Sequence, residues 1–317
     1  MVQTRPGSSD PVARLVLPSR AFCLQFSPFP HSSNLLAAGL QSSITIGQCS
    51  FSEETSSGEF SWNVLQEIHH DTRVQALAWS PKSNILASPK LIEFATSATD
   101  HKVRLFSSDL ETVSVKVLKG HTDYVNSLVF DPESGDQLVT GSDDQTVRLW
   151  EDGDCVSVLH FKSPVMSLAW HQEEVGKLLI GQKSGVICLY NAVSHQPILS
   201  LSSQLSPLMD LDWSSSNSLV VSAVGGSDLA LMDMSSPSAP LVSRTVHSDG
   251  ARHVAATDSL VATAGRPGNT VKVWHGKSGV LLLSNELVIV GGLSWHHKLP
   301  YLAVGGDREV QLYKVTY

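Results

Sequence analysis

Charged side chains are scarce in this chain, and the positive ones are the scarcer kind. Asp, Glu, Lys and Arg make up 16% of the 317 residues, and 22 Lys and Arg stand against 30 Asp and Glu, which gives a formal net charge of -8. No run of five basic residues occurs. Affinity for a phosphate backbone comes largely from clustered Lys and Arg, so we predict no direct binding to nucleic acid.

The chain also has few cysteines, and no two of them form a CxxC pair. Cys23 and Cys188 stand between apolar residues, and we expect all four cysteines to be small buried side chains rather than ligands of a zinc or redox site. The four are Cys23, Cys49, Cys155 and Cys188. The adjacent pairs His69–His70 and His296–His297 are poorly suited to hold one metal, because neighbours on a strand point to opposite faces, and we expect them in solvent or at an interface. No cofactor or metal is predicted.

Long apolar runs and catalytic signatures are absent as well. The most apolar late stretch, residues 280–293, is interrupted by Asn285 and Glu286 and is too short to span a bilayer, and the N-terminus lacks the apolar segment of a signal peptide. No G-x-S-x-G, H-E-x-x-H or G-x-G-x-x-G motif occurs. We therefore expect a soluble protein of the cytosol or nucleus that is not an enzyme.

What the chain does have is an internal repeat. An apolar-x-x-Leu-x-aromatic phrase recurs and ends on Phe26, Trp79, Phe130, Trp170, Trp213 and Trp295. The separations are 53, 51, 40, 43 and 82 residues, and the last is about twice 41, so a further unit is expected near residues 250–256. A strand, a tight turn and another strand follow each phrase, as in LVTGSDDQTVRLW at 138–150.

Seven such units, each of roughly 40 residues and about four short strands, predict an all-β, seven-bladed β-propeller of the WD40 type. The last unit leaves no room for an outer strand, so residues 12–17 are predicted to supply it and to close the ring. Residues 1–11 then form a flexible N-terminal segment, and residues 12–317 form a single domain. An insertion at about 47–61, rich in Ser and Glu, is expected as a loop between the third and fourth strands of the first blade.

One unit carries the polar residues that a WD blade buries as a hydrogen-bonded set. These are a His from the loop before the blade, a Ser or Thr of the second strand, the Asp of the tight turn and the closing Trp. Here they correspond to His121, Thr140 or Ser142, Asp144 and Trp150, and a Gly-His pair precedes this unit alone. The His, Asp and hydroxyl also have the composition of a catalytic site. The blade accounts for every member, so we predict a structural role.

Beyond the general WD pattern, the sequence resembles one family. The phrases VQALAWSP, SATDHKVRLFSSDL, VLKGHTDYVNSLVFDP, SDDQTVRLW, VMSLAWH and GGLSWHHKLP look like those of the small WD-repeat nucleoporins of the Y-shaped nuclear-pore complex, in the same order and spacing. The likeness runs from about Phe22 to Val315 and includes the early His pair and the long insertion.

The resemblance implies a non-enzymatic scaffold without a cofactor. Such a subunit binds the large nucleoporin of the short arm of the Y, works with the other nucleoporins of the complex in pore assembly and transport, and resides in the nuclear envelope, with the kinetochore as a second site in mitosis. No homo-oligomer is expected. The alternative is a propeller that recognises a peptide, as a ubiquitin-ligase substrate adaptor or a targeting-signal receptor. The Asp-x-Arg that ligase adaptors carry after the closing aromatic is missing from WEDGD, YNAVS and WHGKS.

Loop residues on two faces are candidates for a partner contact. Arg266 and Arg308 lie in turns between second and third strands, which open on one face, and Arg is enriched at buried contacts. His296 and His297 lie in a turn between first and second strands, which opens on the opposite face. Phe60 in the insertion is a further candidate, with a solvated loop as its alternative. We favour the face of Arg266 and Arg308, because Arg266 has no evident acidic partner.

Overall fold

Period-2 alternation of apolar residues produces strands along the whole chain. The structure, a computed structural model, describes residues 10–54, 58–214, 217–236, 239–257 and 259–316. Within these ranges it contains 28 β-strands, grouped in seven antiparallel sheets of four strands. The first strands of neighbouring sheets contact one another around a common axis, so the sheets are the blades of a propeller. This arrangement confirms the predicted fold class.

The strands of each blade are lettered a to d from the axis outward, in chain order. Blades 1 to 3 contain β2 (Cys23–Phe26), β3 (Leu35–Gly39), β4 (Ser43–Ser50), β5 (Ser61–His69), β6 (Val74–Trp79), β7 (Ile92–Ala98), β8 (Val103–Ser108), β9 (Val113–Leu118), β10 (Val125–Phe130), β11 (Gln137–Ser142), β12 (Thr146–Glu151) and β13 (Asp154–His160). Blades 4 and 5 contain β14 (Val165–Trp170), β15 (Lys177–Gln182), β16 (Val186–Asn191), β17 (Gln196–Ser202), β18 (Leu208–Ser214), β19 (Asn217–Gly225), β20 (Asp228–Asp233) and β21 (Val242–Thr245).

Blades 6 and 7 contain β22 (Ala251–Ala256), β23 (Leu260–Gly265), β24 (Thr270–His275), β25 (Leu281–Glu286), β26 (Gly292–Trp295), β27 (Tyr301–Gly305) and β28 (Glu309–Lys314). The unit expected near residues 250–256 is therefore present as strand a of blade 6. The d–a loops and b–c turns open on one side of the ring, which we call the top face. The a–b turns and c–d connections open on the other side, the bottom face.

The outer strand of blade 7 comes from the N-terminal part of the chain. β1 (Ala13–Val16) pairs antiparallel with β28, and the hydrogen bond from Val12 N to Leu312 O measures 2.8 Å. Leu15 faces the core and is 2% exposed, whereas its neighbour Val16 is 78% exposed. The prediction that residues 12–17 close the ring is confirmed. Of the predicted flexible segment 1–11, residues 1–9 lie outside the described residues.

Small residues in strand b allow the blades to approach closely. A Cβ atom on Gly141 would lie 2.6 Å from Cγ1 of Val165, and one on Gly181 would lie 2.5 Å from Cδ2 of Leu211. Each glycine thus accommodates a large apolar side chain of the next blade. Bulky aromatic residues fill other parts of the space between blades, where Trp79 and Trp150 are 2% and 3% exposed. The core is consequently a ring of inter-blade layers.

Two details differ from the sequence-based expectations. β4 continues to Ser50, so the connection to β5 spans residues 51–60 and is shorter than the predicted loop at 47–61; residues 55–57 lie outside the described residues. The expectation of four buried cysteines is wrong for Cys155, which is exposed on the outer strand β13, because both faces of an outer strand reach solvent.

Candidate functional site

The polar set predicted in blade 3 comes together beneath the top face. His121 lies in the d–a loop and Asp144 in the b–c turn, and His121 Nδ1 is 2.8 Å from Asp144 Oδ2. On the other side of the imidazole, His121 Nε2 is 2.8 Å from Thr140 Oγ1. The same Thr140 oxygen accepts a 2.9 Å hydrogen bond from Trp150 Nε1. Ser142 instead accepts a hydrogen bond from the backbone N–H of Asp144. Of the two hydroxyls left open by the sequence, Thr140 joins the histidine and Ser142 shapes the turn.

Burial and hydrogen bonding fix the charges of this set. Burial lowers the pKa of His121, although Asp144 opposes the shift, so the ring is neutral near pH 7. Burial alone raises the pKa of Asp144, but hydrogen bonds from Thr146, His121 and the N–H of Thr122 outweigh it and hold the pKa at about 2. The side chains of His121 and Asp144 are 1% and 6% exposed. Their polar atoms are engaged with one another and out of reach of a substrate, so the set is structural.

Two further histidines occupy the same position in other blades, a role that was not predicted from the sequence for either of them. His70 Nε2 lies 3.2 Å from Thr96 Oγ1 in blade 2, and His247 Nε2 lies 3.1 Å from Thr263 Oγ1 in blade 6. The two rings are 2% and 1% exposed, so the expectation that the pair containing His70 lies in solvent or at an interface is wrong for that residue. A signal was available, because each of the three histidines stands four residues before the first buried residue of strand a.

The bottom-face histidine pair splits between the interior and the surface. His296 is 3% exposed, and its Nδ1 accepts hydrogen bonds from the N–H groups of Lys298 and Leu299 at 3.2 and 3.0 Å. Its Nε2 donates to Oδ1 of Asn34 in blade 1 at 2.9 Å. Both ring nitrogens of His296 are engaged in hydrogen bonds within the protein, and the side chain stabilises the a–b turn. The expectation that His296 is available to a partner is therefore wrong. His297 is exposed.

The insertion in blade 1 packs against blade 7. Phe51 is fully buried, with its ring centroid 4.5 Å from that of Tyr301 and 4.7 Å from that of His296. Phe60 is half-buried, 5.7 Å from Phe51 in an edge-on arrangement. Glu53 accepts a hydrogen bond from the hydroxyl of Tyr301 and forms a 2.6 Å ion pair with Lys314, whose ammonium lowers the pKa of Glu53 to about 2. The loop thus joins the first blade to the last.

Arg266 and Arg308 are both exposed in b–c turns of the top face. Their backbones are fixed, since Arg266 N donates to Gly250 O at 2.9 Å and Arg308 O accepts from Leu17 N at 2.9 Å. Neither guanidinium forms an ion pair with another described residue. The top face therefore presents two fixed positions from which unpaired positive side chains extend.

The described ranges hold no group of three or more His, Cys, Asp or Glu arranged to bind a metal ion. Within the same ranges, no helix is long and apolar enough to cross a membrane.

The WD40 family model, described as WD domain, G-beta repeat, matches residues 62–107 and 112–151. Each match begins on strand d of one blade and continues through strands a, b and c of the next, as β5 to β8 and β9 to β12 do. The repeat in the sequence is offset from the blade by one strand. That offset leaves the last blade without its outer strand until β1 supplies it.

Relatives match along nearly the whole chain. Nucleoporin Nup37 of Homo sapiens is 40% identical over 306 residues, which is 92% of this chain and 93% of that protein. Nucleoporin Nup37 of Mus musculus is 40% identical over 304 residues, with the same coverage, and Nucleoporin Nup37 of Drosophila melanogaster is 32% identical over 316 residues, which is 96% of this chain and 98% of that protein. The chain is a seven-bladed propeller with this degree of sequence identity to Nup37 along nearly its whole length, and it belongs to the Nup37 family of nucleoporins.

Proposed function

We propose that this chain is a non-enzymatic structural subunit of the nuclear pore complex, in the Y-shaped outer-ring assembly. The observation that carries the proposal is the 40% identity to Nup37 of human and mouse over 92% of the chain. Seven interlocked blades form a rigid ring with loops on two faces, which suits a subunit that contacts other proteins. The subunit takes part in pore assembly and nucleocytoplasmic transport, and resides in the nuclear envelope and, in mitosis, at the kinetochore.

The hydrogen bonding of the polar set in blade 3 supports the absence of enzymatic activity in this proposal. His121, Asp144 and Thr140 have the composition of a catalytic constellation, but their polar atoms hydrogen-bond to one another in the interior of blade 3. A general base needs a reacting group within hydrogen-bonding reach, and these atoms have no room for one.

The proposed partner is the large nucleoporin of the short arm of the Y, and the proposed docking face is the top face at Arg266 and Arg308. A rigid scaffold binds through its loops, and Arg is among the residues that carry most of the binding energy at interface centres. The two guanidiniums are exposed and unpaired among the described residues, so a partner carboxylate can approach them without displacing an internal ion pair.

A pull-down with the large nucleoporin of the same organism tests this face. We expect the double variant Arg266→Glu, Arg308→Glu to retain much less of the partner than the parent protein does. The matched control is Lys162→Glu, Lys183→Glu, which makes the same charge change in a d–a loop and a b–c turn of blade 4, across the ring. Undiminished binding of the arginine variant, or equal loss in the control, would reject this face and direct attention to His297 and Phe60.

A further inference from the structure

A cleft of about 240 Å³ opens on the top face where blades 6, 7 and 1 meet. Three arginines from three different elements surround it: Arg20 from the loop between β1 and β2, Arg252 from strand a of blade 6 and Arg266 from the b–c turn of blade 6. Ile289 and Val290 form an apolar wall on the side of blade 7. The cleft therefore combines converging positive charge with a short hydrophobic surface.

Two glycines allow close backbone contacts beside the cleft. A Cβ atom on Gly265 would lie 2.4 Å from the carbonyl oxygen of Gly250, so only glycine lets the b–c turn of blade 6 rest against its d–a loop. Likewise, a Cβ atom on Gly291 would lie 2.1 Å from the carbonyl oxygen of Ala21, so the segment after Arg20 can approach blade 7 only because residue 291 has no side chain. The cleft is therefore fixed by backbone contacts.

The three guanidiniums donate no side-chain hydrogen bond to any other residue that the structure describes. All three side chains are exposed, and none forms an ion pair with another described residue. Arg20 is positioned by stacking, with its Cζ 4.9 Å from the centroid of the Phe22 ring, and Arg73 lies over the same ring at 5.2 Å. Stacking orients a guanidinium without occupying its N–H groups.

Two exposed carboxylates, Glu286 and Asp249, lie on segments beside the cleft, and a Cβ atom on Gly268, in the turn that carries Arg266, would lie 3.4 Å from the carboxyl carbon of Glu286. The backbone N–H of Asp249 donates to Arg266 O at 3.2 Å. Asp210 lies deeper, in strand a of blade 5, and is hydrogen-bonded to the N–H of Val254 at 3.0 Å. Desolvation lowers the pKa of His253 in the cleft wall, so its ring is neutral near pH 7. Three positive charges are thus gathered beside two exposed carboxylates, on a chain whose formal net charge is -8.

We propose that this cleft binds a carboxylate side chain from an acidic, extended segment of a partner protein. A guanidinium offers parallel N–H donors that match the two oxygens of a carboxylate, and the wall of Ile289 and Val290 suits the methylene groups of a glutamate. Because the attraction arises at exposed groups, it is strongest at low ionic strength and is screened by salt. The inference deepens the proposed function by naming the ligand chemistry of the top face, and it rests on that face being the one that docks.

Direct binding of two synthetic octapeptides tests the ligand chemistry. The probes are a fluorescein-labelled peptide of alternating Glu and Ser and its counterpart of alternating Gln and Ser, titrated with the full chain at low ionic strength and followed by fluorescence anisotropy. We expect the Glu peptide to bind and the Gln peptide to show no saturable binding. Arg20→Gln and Arg252→Gln should each weaken the Glu peptide by about threefold to tenfold.

The control variant is Lys162→Gln, which removes an equally exposed positive charge from a top-face loop of blade 4. It should leave the dissociation constant unchanged. Equal binding of both peptides, equal weakening by the control, or displacement of the Glu peptide by inorganic phosphate at concentrations where acetate has no effect would overturn the proposal of a carboxylate site.

The outcome is separable from that of the proposed function, because Arg266 stays intact in both test variants and no nucleoporin is needed. If Arg266→Glu, Arg308→Glu abolishes the pull-down but the Glu peptide does not bind, the ligand chemistry is wrong and the docking face stands. If the Glu peptide binds as expected and the pull-down is undiminished, the cleft stands as a carboxylate site, and it is the proposed docking face that fails.

Discussion

A single hydroxyl, that of Thr140, joins the two halves of the polar set in blade 3. It accepts the indole N–H of Trp150 and donates to His121, which in turn donates to Asp144. Each group is both oriented and satisfied by the next, so the loss of one member leaves a buried partner without its hydrogen bond. The cost of such a loss exceeds the net contribution of an average hydrogen bond.

Substitutions in this set should therefore be costly for stability. We expect Trp150→Ala to lower the free energy of unfolding by about 3–5 kcal/mol through the cavity it leaves, and Asp144→Ala to lower it by about 1–3 kcal/mol because His121 loses its acceptor. Asp154→Ala, which removes an exposed carboxylate in the same blade, is the control and should have little effect. Thermal melts in which the first two variants match the parent protein would contradict the structural role of the set.

Acid sensitivity should follow from the buried histidines. Burial lowers the pKa of His296 and of His247 from the ordinary 6.5 to about 4. The unfolded chain takes up protons at these sites near pH 6.5 and the folded chain only near pH 4, so the stability contributed by each neutral ring is fully present above pH 6.5 and is lost as the pH falls towards 4. The loss amounts to about 3 kcal/mol per histidine at the acidic end.

Melting temperatures measured from pH 7 to pH 4 test this dependence. We expect His296→Asn to flatten the acid branch of the curve, because a side chain that does not titrate replaces one that does. His31→Asn, in an exposed a–b turn of blade 1, should leave the slope unchanged. A parent protein whose melting temperature is constant over this range would contradict the neutral buried state of these rings.

At the scale of the strand, the sequence predicted what depends on neighbours in the chain. Alternation along strands b and c and the aromatic that closes strand a are local patterns, and they placed every blade, including blade 6, whose strand a ends without an aromatic. The N-terminal closing strand was predictable from the number of strands in each unit, because the seventh unit contains three strands and needs a fourth from elsewhere in the chain.

What the sequence did not reveal depends on contacts between distant segments. His296 was interpreted as a loop residue, yet its ring meets Asn34, 262 positions away. It follows the closing aromatic of strand a, as His171 does in blade 4, and both accept turn N–H groups at Nδ1. The cleft of Arg20, Arg252 and Arg266 was likewise unforeseen, because three arginines scattered along the chain show no spacing that relates them.

The closing strand provides a test at the same scale. Leu15→Asp should place a charge in the core and detach β1, which costs several kcal/mol and exposes the edge of β28 to association. Val16→Asp is the matched control. The side chain of Val16 faces solvent, and the substitution leaves the backbone pairing of β1 with β28 unchanged. Size-exclusion chromatography and thermal melts should show a destabilised, associating protein only for the first variant. Deletion of residues 1–18 should reproduce that behaviour, and deletion of residues 1–9 should not.

At the scale of the whole molecule, the proposed scaffold and the alternative peptide receptor predict different complexes in cells. A structural subunit of the nuclear pore should elute from a native extract in a stable, very large assembly, while the purified chain alone elutes as a monomer. A receptor should associate only when its substrate is present. Elution of the endogenous protein chiefly at the monomer position would contradict the scaffold proposal.

The pairing of β1 with β28 also determines when the ring can form during synthesis. Ala13 pairs with Leu312, so β1 leaves the ribosome long before its partner β28 has been synthesised. At ordinary rates of translation this delay is about 15–60 s. Throughout that time β1 is an apolar segment without a sheet, and the blades already made form an open arc. A chain whose translation stops before residue 309 lacks β28, so its arc of blades stays open. A closed ring therefore forms only after synthesis has reached the last strand.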